Sequence, residues 1–192
     1  MTTPRILLRA AAPSDVEEIT DLHTRSRAAY YLAGGIPEAE LVSPEARADR
    51  RNAWRRALQA DDRTVLCAVR EGELAGILSM GEPADADMNA TTTGQLHQIH
   101  VRRDSWSQGI GGLLHAAFVR HLRDASLTNG VLEVWERNTR ARAFYARHGW
   151  TPDGHRRPGP SGPSGPTDTH YVRLRLDPAP GLGSGPGSLD LT

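Results

Sequence analysis

The chain has 192 residues, 38% of them hydrophobic, and its 23 basic side chains balance 23 acidic ones for a formal net charge of zero. That length builds one ordinary domain around a single core. A balanced charge offers no field for a polyanion or an acidic lipid surface, so neither nucleic acid nor a membrane is an expected partner. No signal peptide and no apolar run of membrane length is apparent, which predicts a cytoplasmic protein.

In chain order, residues 5–9 read as a first strand. Ser14–Asp15 then opens a helix whose apolar positions Val16, Ile19, Leu22 and His23 share one face. It runs through Arg27 and Tyr30 until Gly34–Pro37 breaks it. A second helical region follows Ser43–Pro44, with Ala46, Ala53, Trp54, Ala57 and Leu58 available for packing. Residues 64–70 and 74–80 flank Glu71–Gly72–Glu73 and predict a β-hairpin. Inside the first of these strands lies Cys67, the only cysteine. It excludes an internal disulfide, cannot make a zinc site alone, and reads as a buried, inert thiol. No metal is expected. The polar, alanine-rich stretch from Glu82 to Thr93 predicts a loop.

The most informative stretch runs from Gln95 to Leu114. Residues 95–101 have the length and Ile/Val/Leu content of a strand. From Leu113 the apolar residues fall on one face of a helix: Leu113, Leu114, Ala117, Phe118 and Leu122. Between strand and helix, Gly109, Gly111 and Gly112 leave the backbone uncovered where the first helical amides have no intrahelical partner. Those amides and the positive end of the helix dipole predict an anion site for a phosphate-bearing ligand. A nucleotide-binding Gly-x-Gly-x-x-Gly turn fits poorly, because Leu114 stands at the third glycine and seven residues separate Val101 from Gly109.

A strand at 131–135 follows. Asn138 then caps a helix with Ala141, Phe144, Tyr145 and His148 on one face, and Gly149 supplies a left-handed stop. Residues 151–157 begin another strand, and 171–176 alternate as a terminal one. The Gly/Pro-rich stretch 157–169 predicts a mobile loop, and 177–192 a disordered tail.

Two motifs in this order resemble the GNAT superfamily of acetyl-CoA-dependent N-acetyltransferases. One is Gln/Arg-x-x-Gly-x-Gly/Ala after a strand ending in Val, matched by Trp106–Gly111. The other is Val-x-x-x-Asn-x-x-Ala-x-x-Phe-Tyr-x-x-x-Gly-Phe, matched by Val134–Trp150 with one aromatic exchange at the end. The resemblance implies an α/β (α+β) GNAT domain over residues 1–176. Its mixed, mostly antiparallel sheet would be splayed between two strands at the acetyl-CoA site and flanked by helices.

It further implies that acetyl-CoA donates an acetyl group to an amine acceptor, with the protein a monomer or homodimer. The diphosphate would sit on Ser107, Gln108, Gly109, Ile110, Gly111 and Gly112. Main-chain groups of Ile99 and Val101 would hold the pantetheine, Asn138 would contact its arm, and Tyr145 would protonate the leaving thiolate. Three departures stand out: Trp106 replaces Gln or Arg, Ser107 replaces a common glycine, and Arg103 stands where many members have proline. Many members also carry a general-base glutamate where this chain has Gln95. Since alternate strand residues share a face, His97 points the same way as Gln95 and is the favoured base, while His100 points the other way. Glu82 is the next candidate. The missing glutamate leaves open a second function, an acyl-CoA-binding or regulatory module with weak or lost turnover. The sequence does not name the acceptor.

Overall fold

The computed structural model describes residues 5–33, 36–159, 161–162, 165–166 and 168–178. The elements are β1 (Ile6–Ala10), α1 (Val16–Ala33), α2 (Glu38–Val42), α3 (Pro44–Gln59), β2 (Arg63–Arg70), β3 (Glu73–Gly81), β4 (Thr93–Val101) and α4 (Ile110–Asp124). After them come β5 (Asn129–Trp135), α5 (Thr139–Arg147), β6 (Thr151–Pro158), β7 (Ser161–Gly162), β8 (Gly165–Pro166) and β9 (His170–Leu176). Seven strands form one sheet in the order β1-β2-β3-β4-β5-β9-β6, antiparallel throughout except between β4 and β5.

Local chemistry explains the main elements. Glu71 and Gly72 both have positive φ (54° and 85°), the two-residue turn that matches the twist of the β2–β3 hairpin. Ser43 caps α3 by accepting from the Ala46 amide at 3.1 Å, with Pro44 at the first helical position. On α4, Ile110, Leu114, Phe118 and Leu122 recur every fourth residue and are at most 1% exposed. Each such side chain contributes about 1.5–3 kcal/mol by burial. They fill one face of the sheet together with Leu78, Leu96, Leu132, Leu174 and, from α5, Tyr145. The other face packs on α1 and α3 through Ile19, Leu22, Trp54, Cys67 and Ile77. Cys67 is fully buried, and burial pushes its thiol up to about 11.

One expectation is corrected. Met80 pairs with Leu96 and Ser79 with Gln98, so His97 is an extra residue in β4, a β-bulge. It resets the alternation. Leu96, Ile99 and Val101 all pack with the α4 cluster, and His100 turns to the α1 face rather than away from the Gln95 side. Within the Gly/Pro-rich stretch, β7 and β8 pair with each other, and the Gly159 amide donates to the Thr169 carbonyl. The predicted tail from 179 onward, Gly34–Gly35 and residues 1–4 lie outside the described residues.

Candidate active site

The site is a parting of two strands. β4 and β5 pair only at Thr93–Asn129, Gly94–Gly130 and Gln95–Val131. Beyond that, β4 continues against β3 as far as Val101, and β5 against β9 as far as Trp135, so the two diverge. Glycines permit the tight base of this opening. A Cβ on Gly94 would lie 2.6 Å from Leu122 Cδ2, and one on Gly130 would lie 3.0 Å from Leu122 Cδ1. Strand edges facing a gap carry main-chain donors and acceptors that need partners. The Arg102 amide donates to the Ala75 carbonyl, which places Arg102 and His100 in the hydrogen-bonded pairs of the β3–β4 ladder. By alternation, Ile99 and Val101 turn their main-chain groups toward the opening.

At its mouth lies the glycine-rich entry to α4. Gly109 is the N-cap, at φ 84°, and no side chain caps the helix. Among the described residues, none of the amides from Ser107 to Gly112 donates a main-chain hydrogen bond; the first regular one is Leu113 N to Gly109 O at 3.0 Å. A Cβ on Gly109 or Gly112 would meet nothing within 4 Å, so no neighbouring side chain packs onto the backbone there. Trp106 holds the loop in place: its indole N–H donates to the Val101 carbonyl at 2.9 Å. The Arg140 guanidinium stacks on the same indole at 4.1 Å, bringing a cation beside the cradle. This cluster of free amides at a helix N-terminus suits a phosphate group.

Behind the cradle, α5 begins at Asn138, whose side-chain oxygen accepts from the Ala141 amide at 3.1 Å. Its cap role is present in the fold. Tyr145 is 5% exposed, and its ring packs edge-on against Phe144 and Trp150. Burial raises its phenol above the ordinary range, with a further contribution from Tyr30 on the opposite side of the sheet. The hydroxyl is therefore protonated at any working pH.

The base candidates lie at the closed end of the opening. His97 donates from Nε2 to the Glu82 carbonyl at 2.9 Å, which leaves Nδ1 as the acceptor nitrogen. Burial, then the positive charge of Arg63, pushes its pKa down to about 4. The Gln95 side-chain oxygen accepts from the Ala84 amide at 2.7 Å, so Gln95 and His97 reach the same short segment. Glu82 contributes its main chain to this contact while the residue itself is exposed.

The profile of the acetyltransferase (GNAT) family matches residues 19–150. The chain belongs to that family. No curated protein matches it. Among solved structures, the PaiA N-acetyltransferase of Thermoplasma acidophilum in complex with coenzyme A is similar at 15% identity, TM-score 0.72, over 90% of this chain and 99% of that one. YncA of Salmonella typhimurium, solved with its cofactor acetyl-CoA, gives 17% and 0.66 over 96% and 99%. A ribosomal-protein-alanine N-acetyltransferase from Brucella melitensis gives 20% and 0.68 over 89% and 99%. At these identities the likeness is one of fold, and the splayed α/β sheet is the GNAT fold.

The GNAT motifs thus bring Ile99, Val101, residues 107–112, Asn138 and Tyr145 around one opening. The α1 side of that opening holds residues no motif marked. His23 stacks on His100 at 4.4 Å between ring centroids and accepts the Trp54 indole N–H on Nδ1 at 3.1 Å. His100 donates from Nε2 to the Gln98 side-chain oxygen at 2.8 Å. Burial, then Arg27, lowers His100 to about 3, and burial with His100, Arg27 and Arg50 lowers His23 well below its usual value. Further along, Tyr31 contacts Trp135 and the Tyr171 hydroxyl. The helical period of α1 signalled an inner face, but nothing in it distinguished core from cleft.

Asp85, Glu133 and His155 also bring ligand-type atoms within 4.8 Å of one another. Glu133 is already bound by Arg157 at 2.6 Å and Asp85 by Arg173 at 3.2 Å, which is charge pairing of an ordinary kind. Among the described residues no helix is long and apolar enough to cross a membrane.

Proposed function

We propose that the protein transfers an acetyl group from acetyl-CoA to a primary amine by direct attack in a ternary complex. One observation carries this reading: the β4–β5 opening lies beside a helix N-terminus whose amides are free. A diphosphate on residues 107–112 would direct the pantetheine along the Ile99–Val101 edge, past Asn138 and toward Tyr145. The amine lone pair then forms a bond to the thioester carbon while the C–S bond breaks. The ammonium loses one proton, and the sulfur leaves as a thiolate that gains one.

Tyr145 suits the second proton. Its hydroxyl makes no hydrogen bond among the described residues, so its hydrogen is free for the sulfur. A phenol with a raised pKa is a weaker acid than a thiol of about 8.5, so it acts by hydrogen-bonding the sulfur as charge develops. His97 Nδ1 is the proposed acceptor of the amine proton, with Glu82 second. The test is thiol release from acetyl-CoA over an amine panel, with product masses measured. An N-acetyl product that requires Tyr145 supports the proposal; coenzyme A binding with no product from any amine defeats it. The second reading, an acyl-CoA-binding module with weak turnover, is favoured by the depressed pKa of His97 and by Gln95, neither of which is a strong base near neutrality.

A further inference from the structure

On α1, His23, Arg27 and Tyr31 follow one another at four-residue spacing and so share a face. Its two ends are fixed by the contacts of His23 with His100 on β4 and of Tyr31 with Trp135 on β5. Those are the two strands that part, so Arg27, midway, lies over the opening between them. Its guanidinium sits 4.5 Å from the centre of the Tyr31 ring.

Positive charge and donors are in surplus here. Elsewhere arginines meet carboxylates, as Arg9 does Asp15, Arg157 does Glu133 and Arg173 does Asp153. Arg27 and Arg50 are half-buried; Arg27 hydrogen-bonds the Tyr171 hydroxyl, but among the described residues neither cation has an ion-pair partner. Arg50 donates to Thr24 Oγ1 at 2.7 Å and to the Leu41 carbonyl, contacts that hold it without neutralising it. The buried side-chain atoms without a partner among the described residues are His23 Nε2, Arg51 Nε, Arg63 Nε and Trp135 Nε1. All four are N–H donors, His23 because its Nδ1 accepts from Trp54. Two of them, His23 and Trp135, bound the face that carries Arg27. Half-buried cations without counterions and donors without acceptors are costly unless something supplies the missing oxygens.

We infer that the acceptor carries an oxyanion beside its amine, a carboxylate or a phosphorus oxyacid, and that Arg27 binds this group while Arg50 completes the positive field. This rests on the proposed acetyl transfer. It places the acceptor's anion on the α1 side, its amine in the opening, and the thioester on the far side of the gap. Polyamines and other polycations are disfavoured by the same two charges.

The experiment is calorimetry on the full chain saturated with coenzyme A. The probes are L-amino acids, their neutral amides, aminoalkylphosphonates and spermidine. Acids or phosphonates should bind at least about tenfold more tightly than the amides, as charge-assisted pairing predicts. Arg27→Gln should erase that preference with coenzyme A affinity and melting temperature near wild type, and Arg27→Lys should keep part of it. The carboxylate and phosphonate arms identify the oxyanion. Equal binding of acids and amides, tighter binding of spermidine, or no binding by any anion would overturn the inference. So would a folded Arg27→Gln variant that keeps the preference. Thiol release over the same panel reads the transfer separately. Acids that bind through Arg27 but are never acetylated would defeat acetyl transfer and leave the anion site standing.

Discussion

The two faces of the parted strands offer different materials to a ligand. On the α4–α5 face, the cradle from Ser107 to Gly112 offers main-chain amides, and its position follows from the backbone geometry of one short segment. On the α1 face, His23, Arg27, Trp54, His100 and Tyr171 offer side chains delivered by α1, α3, β4 and β9. Amide recognition constrains glycine and cap positions within a few residues, and so leaves a motif. Side-chain recognition constrains only where distant segments meet, and leaves each segment free to vary. A common donor and a protein-specific acceptor are what this division would serve.

The largest effect expected is at Tyr145, where the two faces see each other. Tyr145→Phe keeps the ring against Phe144 and Trp150 and removes only the proton donor. Turnover should fall by roughly 10²- to 10³-fold, the scale of losing one hydrogen-bond donor aimed at developing charge. Coenzyme A affinity should move little, since one hydrogen bond is worth about 0.5–1.5 kcal/mol net. Wild-type turnover in this variant would reduce Tyr145 to core.

Next is the cradle itself. Gly109→Asp puts a carboxylate beside the free amides and should weaken coenzyme A by more than about tenfold, or 1.4 kcal/mol. Gly109→Asn is the control, because asparagine tolerates the left-handed backbone at φ 84° without the charge. Calorimetry should rank wild type, Asn and Asp in that order; equal affinity for Asp and wild type would move the diphosphate elsewhere.

The fold was legible wherever a signal was local. The α4 stripe, the Glu71–Gly72 turn, the Ser43 and Asn138 caps and the cradle glycines all lie in contiguous residues. What was not legible depended on register or distance. The extra residue at His97 leaves no mark in sequence, yet it decides which way His100 faces. The helix α2 spans only Glu38–Val42, too short to show a period. Arg27 looks like any surface arginine until α1 is laid across two diverging strands.

The buried histidines test both faces by pH: His100 stacks on α1, while His115 on α4 accepts the Trp150 indole N–H at 2.8 Å. In the unfolded chain each titrates near 6.5. In the fold, burial holds His97 and His115 near 4 and His100 near 3. Below pH 6.5 the unfolded state therefore binds more protons than the folded one. The histidines' contribution to stability is complete above that pH and is lost as pH falls toward 4. At pH 5 each should cost about 1–2 kcal/mol, a steep fall in melting temperature. A flat melting temperature between pH 7 and 5 would show that these rings are not neutral and dry. The rate profile adds a sharper test of His97. If it is the base in the free enzyme, the acidic limb of kcat/KM lies near 4 once the amine's own titration is removed. His97→Gln should then abolish that limb; a limb near neutrality that survives the substitution would place the base elsewhere.

The smallest effect expected is at Ser107, where the cradle departs from the glycine common in the family. Its φ is 62°, a left-handed backbone that costs an L-residue about 1–2 kcal/mol. Ser107→Gly removes that strain but adds about 0.5–1 kcal/mol of unfolded-state entropy, so the net gain should be between zero and about 1.5 kcal/mol. For a chain of this size 1 kcal/mol is about 2–4 °C in Tm. Coenzyme A affinity should stay within about twofold, because the amides that face the ligand do not move. Ser107→Val applies the opposite stress. A β-branched side chain fits this backbone least well, so the loop should relax away from it, lowering Tm and loosening coenzyme A together. If glycine and valine shift Tm and affinity alike, the backbone at 107 is not held where it stands. Recognition on the α4 face would then owe more to side chains such as Arg140, and the contrast with the α1 face would narrow.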